Sequence, residues 1–142
     1  MTEAPEGFNP PLRATGHCRH YSYMRDRLDR GPTCALGLDL TGPGASRKCW
    51  PVDTSTGAGC GCDRREEYTE AERAAWGDYV AARTARMVLI LPAIPGKDEG
   101  RGKAGTIPCP ACDGGVVRWS RAASNGHLWA ACSTPNCFSI IQ

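Results

Sequence analysis

A chain of 142 residues has room for one domain or two very small ones. Nine cysteines are too few for a disulfide scaffold, and 17 basic against 15 acidic side chains give a formal charge of only +2, well short of the basic excess typical of a polyanion binder. Residues 1–7 lack the basic and apolar segments of a secretory signal, and the longest apolar run, Met87 to Leu91, is too short to cross a bilayer. The setting this predicts is a reducing cytoplasm in which the thiols bind metal.

Residues 1–16 are rich in Pro and Gly and poor in apolar side chains, which predicts a flexible arm. Residues 17–63 carry Cys18, Cys34, Cys49, Cys60 and Cys62, the first three standing alone among dense Gly and Pro. Too few apolar residues are present for an ordinary core, so a folded segment needs covalent or coordinate links. Cys18, Cys34, Cys49 and Cys62 are the candidate ligands, with Cys60 the alternative to Cys62. Zinc is the favoured ion. Dispersed single cysteines also suit a [4Fe–4S] cluster, and a metal-free segment is the third reading. His17 and His20 flank Cys18 and are either substitute ligands or solvated loop residues. The cysteine left over from the set is either a reactive thiol or incidental.

Residues 69–91 form the one strong helix signal. Thr69 and Glu72 make a capping box, an Ala-rich stretch follows, and Pro92 ends it. Trp76, Tyr79, Val80, Arg83, Met87 and Leu91 recur at helical spacing. That stripe packs either on the cysteine-rich unit or on a partner. A rod of roughly 30–35 Å at 1.5 Å per residue is long for so small a body. Residues 92–106 read as a flexible linker.

Residues 107–142 carry the most specific signal. Cys109-Pro110-Ala111-Cys112 and Cys132-Ser133-Thr134-Pro135-Asn136-Cys137 are two close pairs around a hairpin-length insert, the pattern of a zinc ribbon. Val116–Ser120 and His127–Ala131 read as its strands, Ser124–Gly126 as the turn, and Phe138–Gln142 as a third strand. Two structural disulfides are the alternative use of these cysteines. Trp119 with Arg121, and His127 with Trp129, share sides of their strands. They form either a platform for single-stranded nucleic acid or the ribbon's own small core. Two four-cysteine zinc sites, each about −2, would bring the loaded charge from +2 to about −2, which counts against a nucleic-acid partner. No phosphate-cradling loop, His-Glu-x-x-His motif or nucleophile elbow is present, so no catalytic residue is assigned and a non-enzymatic role is expected.

Several stretches together resemble a family of short uncharacterised proteins encoded by tailed bacteriophages and prophages. They are Cys18-Arg19-His20-Tyr21, Cys34-Ala35-Leu36-Gly37, Cys49, Cys62 with Tyr68-Thr69-Glu70-Ala71-Glu72, Ile107-Pro108-Cys109-Pro110-Ala111-Cys112, Ser124-Asn125-Gly126-His127 and Cys132-Ser133-Thr134. The resemblance covers most of residues 17–142 and departs around Thr54–Gly61, where Cys60 is extra. It implies a phage-borne accessory protein with two cysteine clusters in the host cytoplasm, and implies no activity. The whole reading is a small, metal-stabilised α+β protein. It has an arm (1–16), a cysteine-rich metal-binding unit with the long helix (17–91), a linker (92–106) and a C-terminal zinc-ribbon hairpin (107–142). The expected role is an adaptor or inhibitor that contacts a host or phage protein assembly, such as defence or transcription machinery. The rivals are a single-strand nucleic-acid binder and an iron–sulfur redox or sensor protein.

Overall fold

The computed structural model describes residues 6–23, 31–51 and 61–142. The chain forms two compact units, one spanning Leu12–Ala74 and the other combining the N-terminal residues up to Pro11 with Ala75–Gln142. Cys60 lies outside the described residues. Among the described residues no helix is long and apolar enough to cross a membrane.

The first unit is held by backbone pairing between loops, as its shortage of apolar residues requires. Strands β1 (Tyr21–Tyr23) and β2 (Pro32–Cys34) pair antiparallel, with Tyr21 opposite Cys34. A 3-10 turn over Ala45–Cys49 follows Gly44, whose φ of 69° favours glycine. Cys18, Leu40 and Cys49 form the small buried core, with Tyr21 and Cys34 packed on it. The Cys18 amide donates to the Cys49 carbonyl at 2.8 Å and the Arg19 amide to the Glu66 carbonyl at 2.8 Å. Arg65 ties three segments together. Its guanidinium donates to the carbonyls of Lys48 (2.8 Å) and Gly16 (3.0 Å) and pairs with Glu67.

Helix α1 (Glu70–Ile90) begins with the expected reciprocal cap. The Thr69 amide donates to Glu72 Oε2 at 2.9 Å, and the Glu72 amide to Thr69 Oγ1 at 3.1 Å. Arg19 reaches the other oxygen of Glu72 at 2.9 Å and lies over the Tyr68 ring.

The second unit is an antiparallel sheet packed on the later turns of α1. A short turn (Leu91–Ala93) and helix α2 (Lys97–Gly100) lead into strand β3 (Ala104–Pro108). Strands β4 (Val116–Arg121), β5 (Leu128–Cys132) and β6 (Ser139–Ile141) complete the order β3-β4-β5-β6. Residues 92–106, expected as a linker, therefore carry a helical turn and most of a fourth strand. The two inward positions of that strand are Gly105 and Ile107, so its apolar alternation is invisible in the sequence. Gly105 is required by packing, because a Cβ there would sit 3.1 Å from the Trp119 indole.

Alternation along the strands separates two faces. Val117, Trp119, Leu128 and Ala130 point inward and join Ile90, Ile94, Cys137 and Phe138 in one core, with Met87 and Leu91 packed against it. Val116 and Trp129 point outward. Of the helical stripe, Met87 and Leu91 thus pack on the core of their own unit, while Val80 is exposed. The buried face also includes Arg86 and Ile90, which the spacing argument passed over.

Candidate metal centres

The C-terminal cysteines come from two turns that the sheet brings together. Cys109 follows β3, Cys112 lies in the turn after it, Cys132 ends β5, and Cys137 precedes β6. Cys109 Sγ is 3.8 Å from Cys137 Sγ, and Cys112 Sγ is 3.6 Å from Cys132 Sγ. All four sulfurs lie within 4.8 Å of one another. A tetrahedral ion at about 2.3 Å from each sulfur needs edges of ~3.8 Å, so the set fits one metal ion. All four cysteines are free thiols.

The turns are built around the sulfurs. The Cys109 amide donates to the Gly115 carbonyl at 2.8 Å, and the Cys137 amide to the Thr134 carbonyl at 3.2 Å. The Thr134 amide donates to Cys132 Sγ at 3.4 Å, and Thr134 Oγ1 lies 3.3 Å from Cys112 Sγ. Burial pushes the Cys109 and Cys137 thiols up. Burial also acts on Cys112, but the hydrogen bond with Thr134 and those with the neighbouring cysteines outweigh it and hold that thiol down. A cation is what allows four sulfurs this close to ionise together.

Three residues of this centre escaped the sequence reading. Gly115 is one: a Cβ there would meet Cys112 Sγ at 2.5 Å and Cys132 Sγ at 2.8 Å. Its signal was the Gly114-Gly115 pair just after Cys112. Thr134 is the second, two residues beyond Cys132. Arg86 is the third. It is buried, donates from Nε to the Cys137 carbonyl at 2.8 Å and from Nη2 to the Asn136 carbonyl at 3.3 Å, and lies 4.1 Å from the Phe8 ring centroid. An arginine on the inward face of α1 was its only trace.

The N-terminal cysteines also converge. Cys18, Cys34, Cys49 and Cys62 line one cavity. Burial raises the Cys49 thiol, and the nearby Cys18, Cys34 and Cys62 raise it further. Both histidines have partners other than the cysteines, and His20 also lines this cavity. His17 stacks on Tyr21 with centroids 5.1 Å apart, and burial first, then Arg65 and Arg13, lower its pKa. His20 Nε2 meets Glu66 Oε2 at 3.0 Å.

The four residues expected on one hairpin face are divided between two. Trp119 is buried inside, and Arg121, on the same side of β4, donates to the carbonyls of Pro95 (2.8 Å) and Gly126 (2.9 Å). His127 and Trp129 are exposed. The register sets Trp119 opposite Ala130 and Trp129 opposite Ser120, so the two indoles point away from each other. No family model, curated protein or solved structure matches this chain.

Proposed function

We propose that this chain is a non-enzymatic zinc-ribbon adaptor or inhibitor that contacts a host or phage protein assembly in the cytoplasm. The carrying observation is the outward face of the sheet. Trp129 is 45% exposed and Ile141 81% exposed, and the two are paired across β5 and β6. With the inward face already filled by α1, two large apolar side chains side by side on the other face suit a protein contact. They line a shallow groove of about 290 Å³ together with His127.

Zinc is the ion this reading assigns to Cys109, Cys112, Cys132 and Cys137, because four thiolates at tetrahedral spacing suit it. Four protein ligands leave no open position for a water or substrate, which supports a structural rather than a catalytic metal. A platform for stacked bases needs several aromatics on one face, and the inward position of Trp119 leaves Trp129 as the hairpin's one outward indole.

The test uses zinc-loaded protein in two binding measurements. Capture from host lysate is repeated at high salt with wild type and with Trp129→Ala combined with Ile141→Ser. The expected result is a stoichiometric protein retained at high salt by wild type and lost by the double variant, with zinc unchanged. Titration with single-stranded oligonucleotides is expected to show weak binding. Sub-micromolar oligonucleotide affinity that falls steeply with salt would replace this reading with the nucleic-acid one.

A further inference from the structure

We propose that Cys18, Cys34, Cys49 and Cys62 ligate a [4Fe–4S] cluster, so that the two cysteine sets take different metals. The argument starts from size. A single ion at about 2.3 Å from four sulfurs draws them into contact and leaves no space larger than the ion itself. The C-terminal set is built that way, with sulfurs 3.6 and 3.8 Å apart. Among the described residues it is also the one tight group of metal-ligating side chains. The N-terminal four are arranged differently. They line, with His20, Tyr21 and other side chains, a small cavity of about 10 Å³, about enough to admit one water. Thiolates closed on one zinc ion could not enclose such a space. Thiolates at the corners of a cuboidal iron–sulfur core would, because each binds a different iron and the core holds them apart.

The placement of the four agrees. Each comes from a separate stretch: the loop before β1, the end of β2, the end of the 3-10 turn, and the segment leading to α1. A close pair sharing one ion is absent from this set, whereas the other centre has two.

The cavity wall suits an anionic, water-sensitive cofactor. Leu36, Leu38 and Leu40 supply apolar surface, and Lys48 and Arg64 also line it. A [4Fe–4S] core of charge +2 with four thiolates carries −2 overall, and two adjacent cations offset that charge. The Glu66 amide lies 3.5 Å from Cys18 Sγ as a donor, the kind of bond that tunes a cluster's sulfur ligands. On assembly each cysteine thiol gives its proton to solvent as its sulfur binds one iron; the +2 core takes two ferric and two ferrous ions with four sulfides, so supplying half the iron as ferric balances the electrons.

The experiment is anaerobic reconstitution of the full chain with equal ferrous and ferric iron, sulfide and zinc, followed by desalting and elemental analysis. The expected content is about four iron, four sulfide and one zinc per chain, with broad visible absorption that bleaches on adding dithionite. Cys18→Ala, Cys34→Ala, Cys49→Ala and Cys62→Ala should each lose the iron while keeping the zinc, and the retained zinc reports a folded C-terminal unit. Cys60→Ser should keep both. Cys112→Ser should lose the zinc and keep the iron, which separates this site from the zinc ribbon. The Mössbauer spectrum of wild type, independent of any variant, should show a cubane. A second zinc without iron, one iron without sulfide, or iron unaffected by the four substitutions would overturn the proposal.

Discussion

Arg86 offers the sharpest test of how the C-terminal centre is supported. Its guanidinium holds the carbonyls of Cys137 and Asn136 at 2.8 and 3.3 Å. Asn136 has a φ of 59°, a left-handed conformation that costs free energy and persists only where neighbours enforce it. Arg86→Met keeps the apolar stem and removes the donors. Each hydrogen bond from a charged group contributes about 1.5–3 kcal/mol, with the longer one at the low end. Contact with the Phe8 ring adds ~1 kcal/mol. These contributions overlap, since all release one turn, and a loss of about 3 kcal/mol is expected in urea unfolding of the zinc-loaded protein, with the slope unchanged. Because the released turn carries a ligand, zinc affinity measured by chelator competition should fall about 10–100-fold. Arg86→Lys should recover only part, since a point charge cannot span both carbonyls. A loss below about 0.5 kcal/mol, the size of an ordinary surface substitution, with zinc affinity unchanged, would refute the latch.

Gly115→Ala should cost about 1–3 kcal/mol, as overpacking does, and weaken metal binding, because its Cβ would press on two sulfurs; unchanged chelator competition would count against this. Trp119→Ala should cost about 3–5 kcal/mol and Trp129→Ala within about 0.5 kcal/mol, read by thermal unfolding, and equal effects would contradict the two-faced sheet. Chelation of the C-terminal metal should loosen the sheet and shift the buried Trp119 fluorescence to the red, which a spectrum at constant pH reads directly. The Thr69 amide first, then Arg19, holds the Glu72 carboxyl below its ordinary value. That stabilisation is complete above the unfolded pKa of about 4.3 and is lost as pH falls through the lower folded value. Glu72→Gln should therefore flatten the acid limb of the stability profile, and a parallel shift of the whole curve would tell against it.

What the sequence made legible follows from how local each interaction is. The capping box, the long helix and the hairpin strands are set by neighbours a few residues apart, and the structure places each within a residue or so of its expected bounds. Close cysteine pairs are equally local, since one turn positions both sulfurs. Strand β3 was missed because its inward positions are a glycine and a single isoleucine. Trp119 and Trp129 could not be assigned to faces until the register fixed which pointed inward. Arg86 was missed for a similar reason: its partners are carbonyls fifty positions away, and no residue type marks a carbonyl. The N-terminal cage illustrates the other limit. Single cysteines at wide spacing name candidate ligands, but the separation of their sulfurs, which would decide between an ion and a cluster, belongs to the folded loops.

The distribution of positive charge bears on what the loaded protein can bind. Four thiolates around one dication carry about −2, and cations lie near both cysteine sets. Arg86 sits beside the Cys137 turn, and Lys48 and Arg64 line the other cage. Further arginines serve the fold itself: Arg65 and Arg121 hold backbone carbonyls, and Arg19 holds Glu72. Each of these counts toward the formal +2, yet Arg86, Arg65, Arg121 and Arg19 are already engaged. A polyanion gains affinity by exchanging condensed counterions for mobile surface cations, and here several of the guanidinium groups are already fixed by carbonyls and carboxylates. Recognition through Trp129 and Ile141 would depend instead on removing apolar surface from water. Binding of that kind changes little with salt, which is why salt dependence, rather than affinity alone, discriminates between the two classes of partner.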